Sequence, residues 1–331
     1  MIAAMDVVGN PSSVHAEGRA AKAIVERARG QVAAAFGAEG ADIVFTSSAT
    51  EAAALALAGR GLRGAAVEHD AVGAWVSADF PVDAQGRVTV ADPGRSVLQI
   101  ANSETGIVQQ LPEGLALCDA TQAWGKMPVA FNWMGVQMAL ASAHKLGGPK
   151  GIGALIMRRG TDSVAQLKGG GQEMGRRAGT ENVIGIAGFG AAANAAARDL
   201  AAGVWGDVEK LRNILELGIA DRSDQTIFVG KGASRLPNTS CFATPGWKGE
   251  TQVMSMDLAG FAISAGSACS SGKVRESRVL RAMGYDEEVA RSAIRVSLGP
   301  ETTEDNIGRF IDAWTAAQRK HRDRTRRNDA A

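Results

Sequence analysis

Apolar positions recur along this chain at two periods, and the change from one to the other marks its elements. In residues 16–37, "AEGRAAKAIVERARGQVAAAFG", Ile24, Val25, Val32 and Phe36 fall at roughly helical spacing among alanines and charges. Gly37 then stops the run, so the pattern predicts an amphipathic helix. Short apolar runs bounded by turn residues follow: "DIVFTS", "GAAVEH", "SVLQIAN", "GLALCDA" and "MALASAHK". Their lengths are those of strands, with room between them for crossovers, and the alternation predicts an α/β fold on a mostly parallel sheet. Beyond about Leu200 the texture changes. "GDVEKLRNILELGIADR" is an amphipathic helix, and "NTSCFAT", "GETQVMSMDLAG" and "FAISAG" read as strand, helix and strand. "ESRVLRAMG" and "TTEDNIGRFIDAW" are further helices, the second opening on a capping pattern, Thr302-x-x-Asp305. The expected division is a large α/β domain over 11–205 and a smaller α+β domain over 206–331 that also takes in residues 1–10.

Four of the apolar runs end in a polar side chain: His69, Asn102, Asp119 and Lys145. Ligands of open parallel sheets bind outside the carboxyl ends of the strands. One polar residue after a strand is only the start of a loop, but four that can hold and ionise a heteroaromatic ring form a candidate site.

Composition narrows the classes. With 331 residues, 45% hydrophobic and 21% charged, the chain is long enough for one large or two unequal domains with a sizeable core. A formal net charge of +1 gives no argument for a polyanionic partner such as DNA. The basic stretch "QRKHRDRTRRNDAA" is the one local excess and reads as a solvated helix end. Cys118, Cys241 and Cys269 include no C-x-x-C pair, which argues against a disulfide framework or a zinc site and for a reducing compartment. The first basic residue is Arg19, so the start is not patterned as a signal peptide, and no long apolar run suggests a membrane span. The expected location is the cytoplasm.

"GGPKG" suggests a phosphate loop, but Lys150 is followed by Gly151 where a Walker loop needs Ser or Thr. "GFGAAA", Gly188 to Ala193, matches a dinucleotide fingerprint formally, yet it runs into "ANAAARDL" and reads better as a helix that tolerates close packing. Lys145 is the more informative residue. A lysine with a lowered pKa in a cleft can form a Schiff base with an aldehyde cofactor such as pyridoxal phosphate. That cofactor also needs an acid for its ring nitrogen and a cup for its phosphate. Asp119 can be the acid, and Ser48 and Thr50, ahead of the helix in "SSATEAAALAL", offer an anion site at a helix N-terminus. Cys118 and Cys241 sit in apolar strands and read as core residues. Cys269, in "SAGSACSSGK", lies among small residues that could bring a thiol to a ligand.

Taken in order, "GNPSSVHAEGR", "IVFTSSATEA", "EHDAV", "ANSETGIVQ", "DATQAWGK", "SAHKLGGPKGIGAL", "GGGQEMGRRAGTEN", "SAGSACSSGKVRESRVLRAMG" and "AIRVSLG" make the chain resemble the cysteine desulfurases. These are pyridoxal-phosphate enzymes of the class V aminotransferase group with the type I fold, and the resemblance covers nearly the whole chain. It implies that Lys145 carries the cofactor and moves the substrate Cα proton, that Asp119 pairs with the ring nitrogen and that Gln122 bonds the ring hydroxyl. His69 would stack on the ring and serve in acid–base steps. Ala49, Thr50, Ser142 and His144 would hold the phosphate, with Thr180 reaching the site of the partner subunit in a homodimer. Arg295 and Asn10 would bind the carboxylate of L-cysteine, and Cys269 would take its sulfur as a persulfide and release alanine. A sulfur acceptor or an iron–sulfur scaffold protein is the implied partner.

The chain departs from the family pattern at two places. Where the family reads Asn-Asn-Glu, this chain has Asn102-Ser103-Glu104, so the resemblance implies at Ser103 either a shorter, weaker contact to the cofactor or one left to water. Family members also begin with a strand and most of a helix ahead of the Gly-Asn-Pro turn, whereas here "MIAAMDVV" leads straight into it; the expectation is a chain lacking its natural start. Other readings stay open: a selenocysteine lyase or β-eliminating lyase on the same scaffold, a truncated and catalytically silent partner protein, or, on "GFGAAA" alone, a nicotinamide oxidoreductase.

Overall fold

The structure is a computed structural model and describes residues 1–266 and 276–329, with side chains described through residue 327. It divides into two compact units. The first comprises Met1–Pro81, Val88–Ala101 and Gln109–Ala202; the second comprises Val82–Arg87, Asn102–Val108 and Gly203–Ala331.

The strands of the first unit are β1 (Asp42–Thr46), β2 (Arg63–Ala65), β3 (Ser77–Phe80), β4 (Val97–Gln99), β5 (Leu117–Asp119), β6 (Met138–Ser142) and β7 (Gly153–Met157). Its helices are α1 (Ile2–Met5), α2 (Ala16–Ala35), α3 (Ala49–Leu57), α4 (Asp70–Gly73) and α5 (Val183–Ala201). Five strands form a sheet in the order β1-β7-β6-β5-β4. The parallel pair β2–β3 stands beside β4 through a parallel bridge between Arg63 and Ser96. β7 alone runs against its neighbours β6 and β1, so β1, β6, β5 and β4 share one direction and the sheet is mostly parallel, as expected.

Both faces of this sheet are covered, which is why its strands are apolar at nearly every position. Val44 packs with Leu140, Leu155 and the α3 residues Ala52, Leu55 and Ala56. Its neighbour Phe45 points the other way and meets Phe189 of α5 edge-on, with ring centroids 6.2 Å apart. Phe36, just past α2, stacks on Trp124 at 3.9 Å and tilts against the same Phe189. The "GFGAAA" segment is an interior stretch of α5. A Cβ at Gly190 would meet Ala28 of α2 at 2.8 Å, so its glycine serves helix–helix packing and not a dinucleotide.

In the second unit the strands are β8 (Ile227–Phe228), β9 (Thr239–Ala243), β10 (Ser264–Ala265) and β11 (Ala293–Ser297), antiparallel in the order β10-β11-β9-β8. Its helices are α6 (Val204–Ala220), α7 (Gly249–Leu258), α8 (Arg278–Ala282), α9 (Glu287–Ser292) and α10 (Glu304–Asp329). The core gathers Phe242, Trp247 and Trp314, with Trp314 lying 5.7 Å from Phe242 and 5.6 Å from Trp247.

Three expectations change. Residues 1–10 group with the first unit and not with the smaller one. The cause is close packing: a Cβ on Gly9 would lie 1.9 Å from the Glu17 carbonyl of α2, and the Met1 side chain lies against Gly188 of α5. Short segments at 82–87 and 102–108 belong instead to the second unit: Val108 and Leu236 bond to the backbone of Ser234 and Gly106, and a Cβ on Gly86 would meet Ile107 at 2.7 Å and Met283 at 3.2 Å. The cap of α10 sits one residue later than the sequence pattern suggests. Thr303 Oγ1 accepts from the Asn306 amide at 3.2 Å while Asn306 Oδ1 accepts from the Thr303 amide at 3.0 Å. Thr302 turns its hydroxyl back to the Gly299 amide.

Candidate active site

The parallel strands of the first unit end on one edge of the sheet, and the polar residues after them gather there. Asp119 is the last residue of β5 and is buried; its Oδ1 accepts from the Thr121 amide at 2.9 Å, which fixes the carboxylate at the strand end. The Thr121 hydroxyl beside it is buried and has no hydrogen-bond partner among the described residues. Gln122 follows on the same turn, where its backbone and side-chain oxygens both accept from Lys126 Nζ, at 2.8 and 3.2 Å.

On the neighbouring strand β6, Ser142 is the last residue, and a short 3-10 turn over Ala143–Lys145 carries His144 and Lys145 outward. Gly147 then takes φ +87°, a left-handed conformation that favours glycine, so that glycine serves the turn itself. Gly153, which starts β7 opposite Ser142, answers a different need. A Cβ there would fall 2.5 Å from the Ser48 carbonyl carbon and 2.8 Å from the Ala49 nitrogen. A bare backbone therefore lets the N-terminus of α3, with Ala49 and Thr50, approach the Ser142 strand end. Ser48 caps α3 by accepting from the Glu51 amide at 3.3 Å.

The electrostatics of this edge favour an anion. His144 is pushed below its ordinary pKa by burial and then by the charges of Lys145, Lys150 and Lys126. The charges of three lysines act on one imidazole, a repulsion that a bound anion would relieve. His69 ends the segment after β2 and caps α4, its Nδ1 accepting from the Ala71 amide at 3.1 Å; in the neutral ring the proton therefore sits on Nε2, and the residue is exposed.

Thr180 belongs to a segment stapled to this region by three ion pairs. Glu173 accepts from Arg29 Nη1 at 2.9 Å and Nη2 at 3.0 Å, and from the Phe45 amide at 2.9 Å. Arg176 meets Asp42 at 2.9 Å, and Arg177 meets Glu51 of α3 at 2.8 Å. Thr180 lines a cavity of ≈ 170 Å³ together with Thr46, Ser47, Gly151, Arg177 and Glu181. The motifs quoted above contain Glu51, Glu173, Arg176 and Arg177, but nothing in the sequence pairs them with one another or with Arg29 and Asp42.

Asn102 follows β4 and takes part in a turn. Its carboxamide oxygen is engaged in its own turn, accepting from the amides of Glu104 and Thr105 and the hydroxyl of Thr105 at 2.9–3.1 Å. Asn10 likewise shapes a turn, its Oδ1 accepting from the Ser12 amide at 2.9 Å. In the second unit, Arg295 of β11 lies across from Ser264 of β10 and donates to the Ser264 hydroxyl at 3.1 Å and to the Ser103 carbonyl. Ser103, the departure from the family pattern, thus contributes its backbone to holding this arginine. Among the described residues the buried Arg295 Nε has no hydrogen-bond partner and no ion pair to a carboxylate is seen for this side chain, while burial pushes the guanidinium below its ordinary pKa. An arginine set this way suits a carboxylate ligand.

Cys118 and Cys241 are core residues, as their sequence context suggests. Burial pushes the Cys118 thiol well up and that of Cys241 up to about 12. Cys269 lies outside the described residues.

The first unit meets the demands of pyridoxal phosphate. Lys145 offers the amine, the fixed Asp119 carboxylate offers an acid for a ring nitrogen, and the α3 N-terminus with the lysine-ringed His144 offers a phosphate cup. The unpartnered Thr121 hydroxyl supplies a further polar atom beside Asp119. Among the described residues no grouping of side chains could hold a metal ion.

The aminotransferase class-V family pattern matches residues 3–72 and 95–310. A cysteine desulfurase of Cereibacter sphaeroides is 39% identical over 342 residues, spanning 92% of this chain and 87% of that protein. One from Frankia sp. (strain EuIK1) is 41% identical over 349 residues, spanning 92% and 83%. The X-ray structure of a NifS-like protein from Rickettsia africae ESF-5 superposes with a TM-score of 0.86 at 30% identity, covering 96% of this chain and 94% of that one. Strand order, strand-end chemistry and these likenesses agree, and the chain belongs to the class-V aminotransferase family, among the cysteine desulfurases.

Proposed function

We propose that this chain is a pyridoxal-phosphate-dependent cysteine desulfurase that converts L-cysteine to L-alanine and carries the sulfur away as a persulfide on Cys269. The observation that carries the reading is the placement of Asp119 and Lys145 at the carboxyl ends of adjacent parallel strands, beside a lysine-ringed anion pocket.

When bound, the cofactor supplies an electron sink that makes the substrate Cα proton acidic. Asp119, held by the Thr121 amide, would keep the ring nitrogen protonated; Gln122 would bond the ring hydroxyl, and His69 would stack on the ring and take part in proton transfer. Ala49, Thr50, Ser142 and His144 hold the phosphate, and Thr180 reaches the corresponding site of the partner subunit of a homodimer. Lys145 removes the Cα proton and returns it. Arg295, with Asn10, holds the substrate carboxylate. The Cys269 thiolate attacks the substrate sulfur, so that the carbon–sulfur bond breaks as a sulfur–sulfur bond forms, and the carbon left behind is protonated to give alanine. The persulfide then passes to an acceptor protein or an iron–sulfur scaffold in the cytoplasm. No helix among the described residues is long and apolar enough to cross a membrane.

A visible absorption spectrum of the protein with pyridoxal phosphate, before and after L-cysteine, tests this beside Lys145→Ala and Cys269→Ser. The expected result is a lysine-bound cofactor band absent from Lys145→Ala, with sulfide and alanine formed unless Cys269 is replaced. A folded protein with no such band would overturn the reading. Preferential turnover of selenocysteine in competition would move it to a selenocysteine lyase.

A further inference from the structure

The N-terminus of α3 presents a conflict that its ion pair explains. Glu51 stands in the first turn of this helix, one residue beyond Thr50, and it is part of the cap: its Oε2 accepts from the Ser47 amide at 2.7 Å while its own amide is capped by Ser48 Oγ. An acid in a first turn stabilises a helix, because the amide groups there are partly positive. The same groups are what would hold a phosphate. A full negative charge on Glu51 would therefore work against the anion that its neighbours are shaped to bind.

Arg177 removes that conflict. Its Nε donates to Glu51 Oε1 at 2.8 Å and its Nη2 lies 3.4 Å from Oε2. The arginine reaches this place because the chain just before it is anchored twice, by Glu173 to Arg29 and by Arg176 to Asp42. We propose that Arg177 is a positioning residue for cofactor binding, which cancels the charge of Glu51 so that this carboxylate can cap α3 without repelling the phosphate. The inference rests on the cofactor reading above and adds to it a residue outside the resemblance-derived phosphate set. Burial would raise the Glu51 carboxyl, but Arg177 and Ser47 together hold it below the ordinary carboxylate range, so it is charged at neutral pH and needs its counterion.

The test separates charge from scaffolding. Arg177→Gln, Arg177→Lys, Glu51→Gln and the double variant Glu51→Gln/Arg177→Gln are each checked for native circular dichroism. Each is then titrated with pyridoxal phosphate, with pyridoxal lacking the phosphate, and calorimetrically with inorganic phosphate. Glutamine at 51 keeps an acceptor for the Ser47 amide and loses only the charge. Removing the counterion alone is expected to weaken pyridoxal phosphate and inorganic phosphate by roughly tenfold, as one unscreened charge near a surface site does. Pyridoxal should change by less than about twofold. Arg177→Lys should retain most of the affinity, and the double variant should recover it. A double variant as weak as Arg177→Gln, or pyridoxal weakened as much as its phosphate, would show that Arg177 acts only by holding the loop. Wild-type protein that binds inorganic phosphate with this pattern but forms no Lys145-dependent band would sink the cofactor reading and leave the charge argument standing.

Discussion

The carboxylate-binding role proposed for Arg295 gives a quantitative handle on substrate recognition. Arg295 is held by two neutral acceptors, the Ser103 carbonyl and the Ser264 hydroxyl, and it is a largely buried cation for which no carboxylate partner is seen among the described residues. A substrate carboxylate meeting the remaining donors would form two charge-assisted hydrogen bonds, each contributing roughly 1.5–3 kcal/mol. Losing both costs about 3–6 kcal/mol, and since about 1.4 kcal/mol is a factor of ten, kcat/KM for L-cysteine should fall by roughly 10² to 10⁴ in Arg295→Gln. Arg295→Lys should recover little, because an ammonium cannot serve Ser103, Ser264 and a carboxylate in one plane. The assay measures alanine formation against L-cysteine concentration, together with inhibition by L-alanine, which shares the carboxylate but undergoes no reaction. Both KM and the alanine inhibition constant should rise, while any slow turnover of cysteamine, which has no carboxylate, should stay within a factor of two or so. A change of less than about threefold in both constants, or a cysteamine rate that drops as far as the cysteine rate, would refute the assignment.

Two further predictions concern stability and reactivity. Glu216 is buried and grips Arg235 through contacts of 2.6 and 3.0 Å while accepting from Ser240 at 2.8 Å, so Glu216→Gln should cost about 3–5 kcal/mol in urea unfolding, the usual penalty for stranding a buried charge. Burial raises this carboxyl, but Arg235, Ser240 and Arg212 outweigh it and hold it below its usual range. Its contribution is therefore complete above the unfolded carboxyl pKa and lost as pH falls through the lower folded one, so the gap between wild type and Glu216→Gln should close in acid; a gap constant down to about pH 3 would contradict the pairing. Cys118 and Cys241 should resist iodoacetamide at pH 8 in the native protein and react once it is unfolded, as mass spectrometry of labelled peptides will read; native labelling at either would show that its burial is not maintained.

Much of the sheet could be read before its coordinates because local signals set it. β4, β5 and β6 end close to the polar groups that closed their apolar runs, since a strand buried on both faces has no other way to reach solvent than at its end. β2 stops at Ala65, ahead of Val67, because the backbone already turns there: the Glu68 amide bonds the Ala65 carbonyl at 3.1 Å. The direction of β7 was not legible. "GALIM" is apolar at every position, and nothing in such a run distinguishes parallel from antiparallel. The strand-end residues Asp119 and Lys145 were visible because each sits at a change of pattern. The staples were not, for the opposite reason: Arg29 and Glu173 are 144 residues apart, and Glu51 and Arg177 are 126 apart, so each side chain alone looks like an ordinary surface charge. Asn102 is more ambiguous: a polar residue after a strand serves its own turn as readily as a ligand, and its carboxamide oxygen accepts three contacts within that turn.

The position of β1 has a consequence for the newborn chain. β1 is made early, yet its strand neighbour in the sheet is β7, whose last residue is Met157. At the usual pace of about 5–20 residues per second, the ribosome needs on the order of 5–20 s after Thr46 to supply that neighbour. During this interval "DIVFT" has an apolar surface and an unpaired backbone, and the loop that leads into α3 has nothing to rest on. The proposed cofactor cup is thus completed late, when a distant hairpin of β6 and β7 arrives to receive the strand. Protein synthesis itself orders the events: the lysine-bearing turn is translated before the strand that seats the phosphate loop beside it.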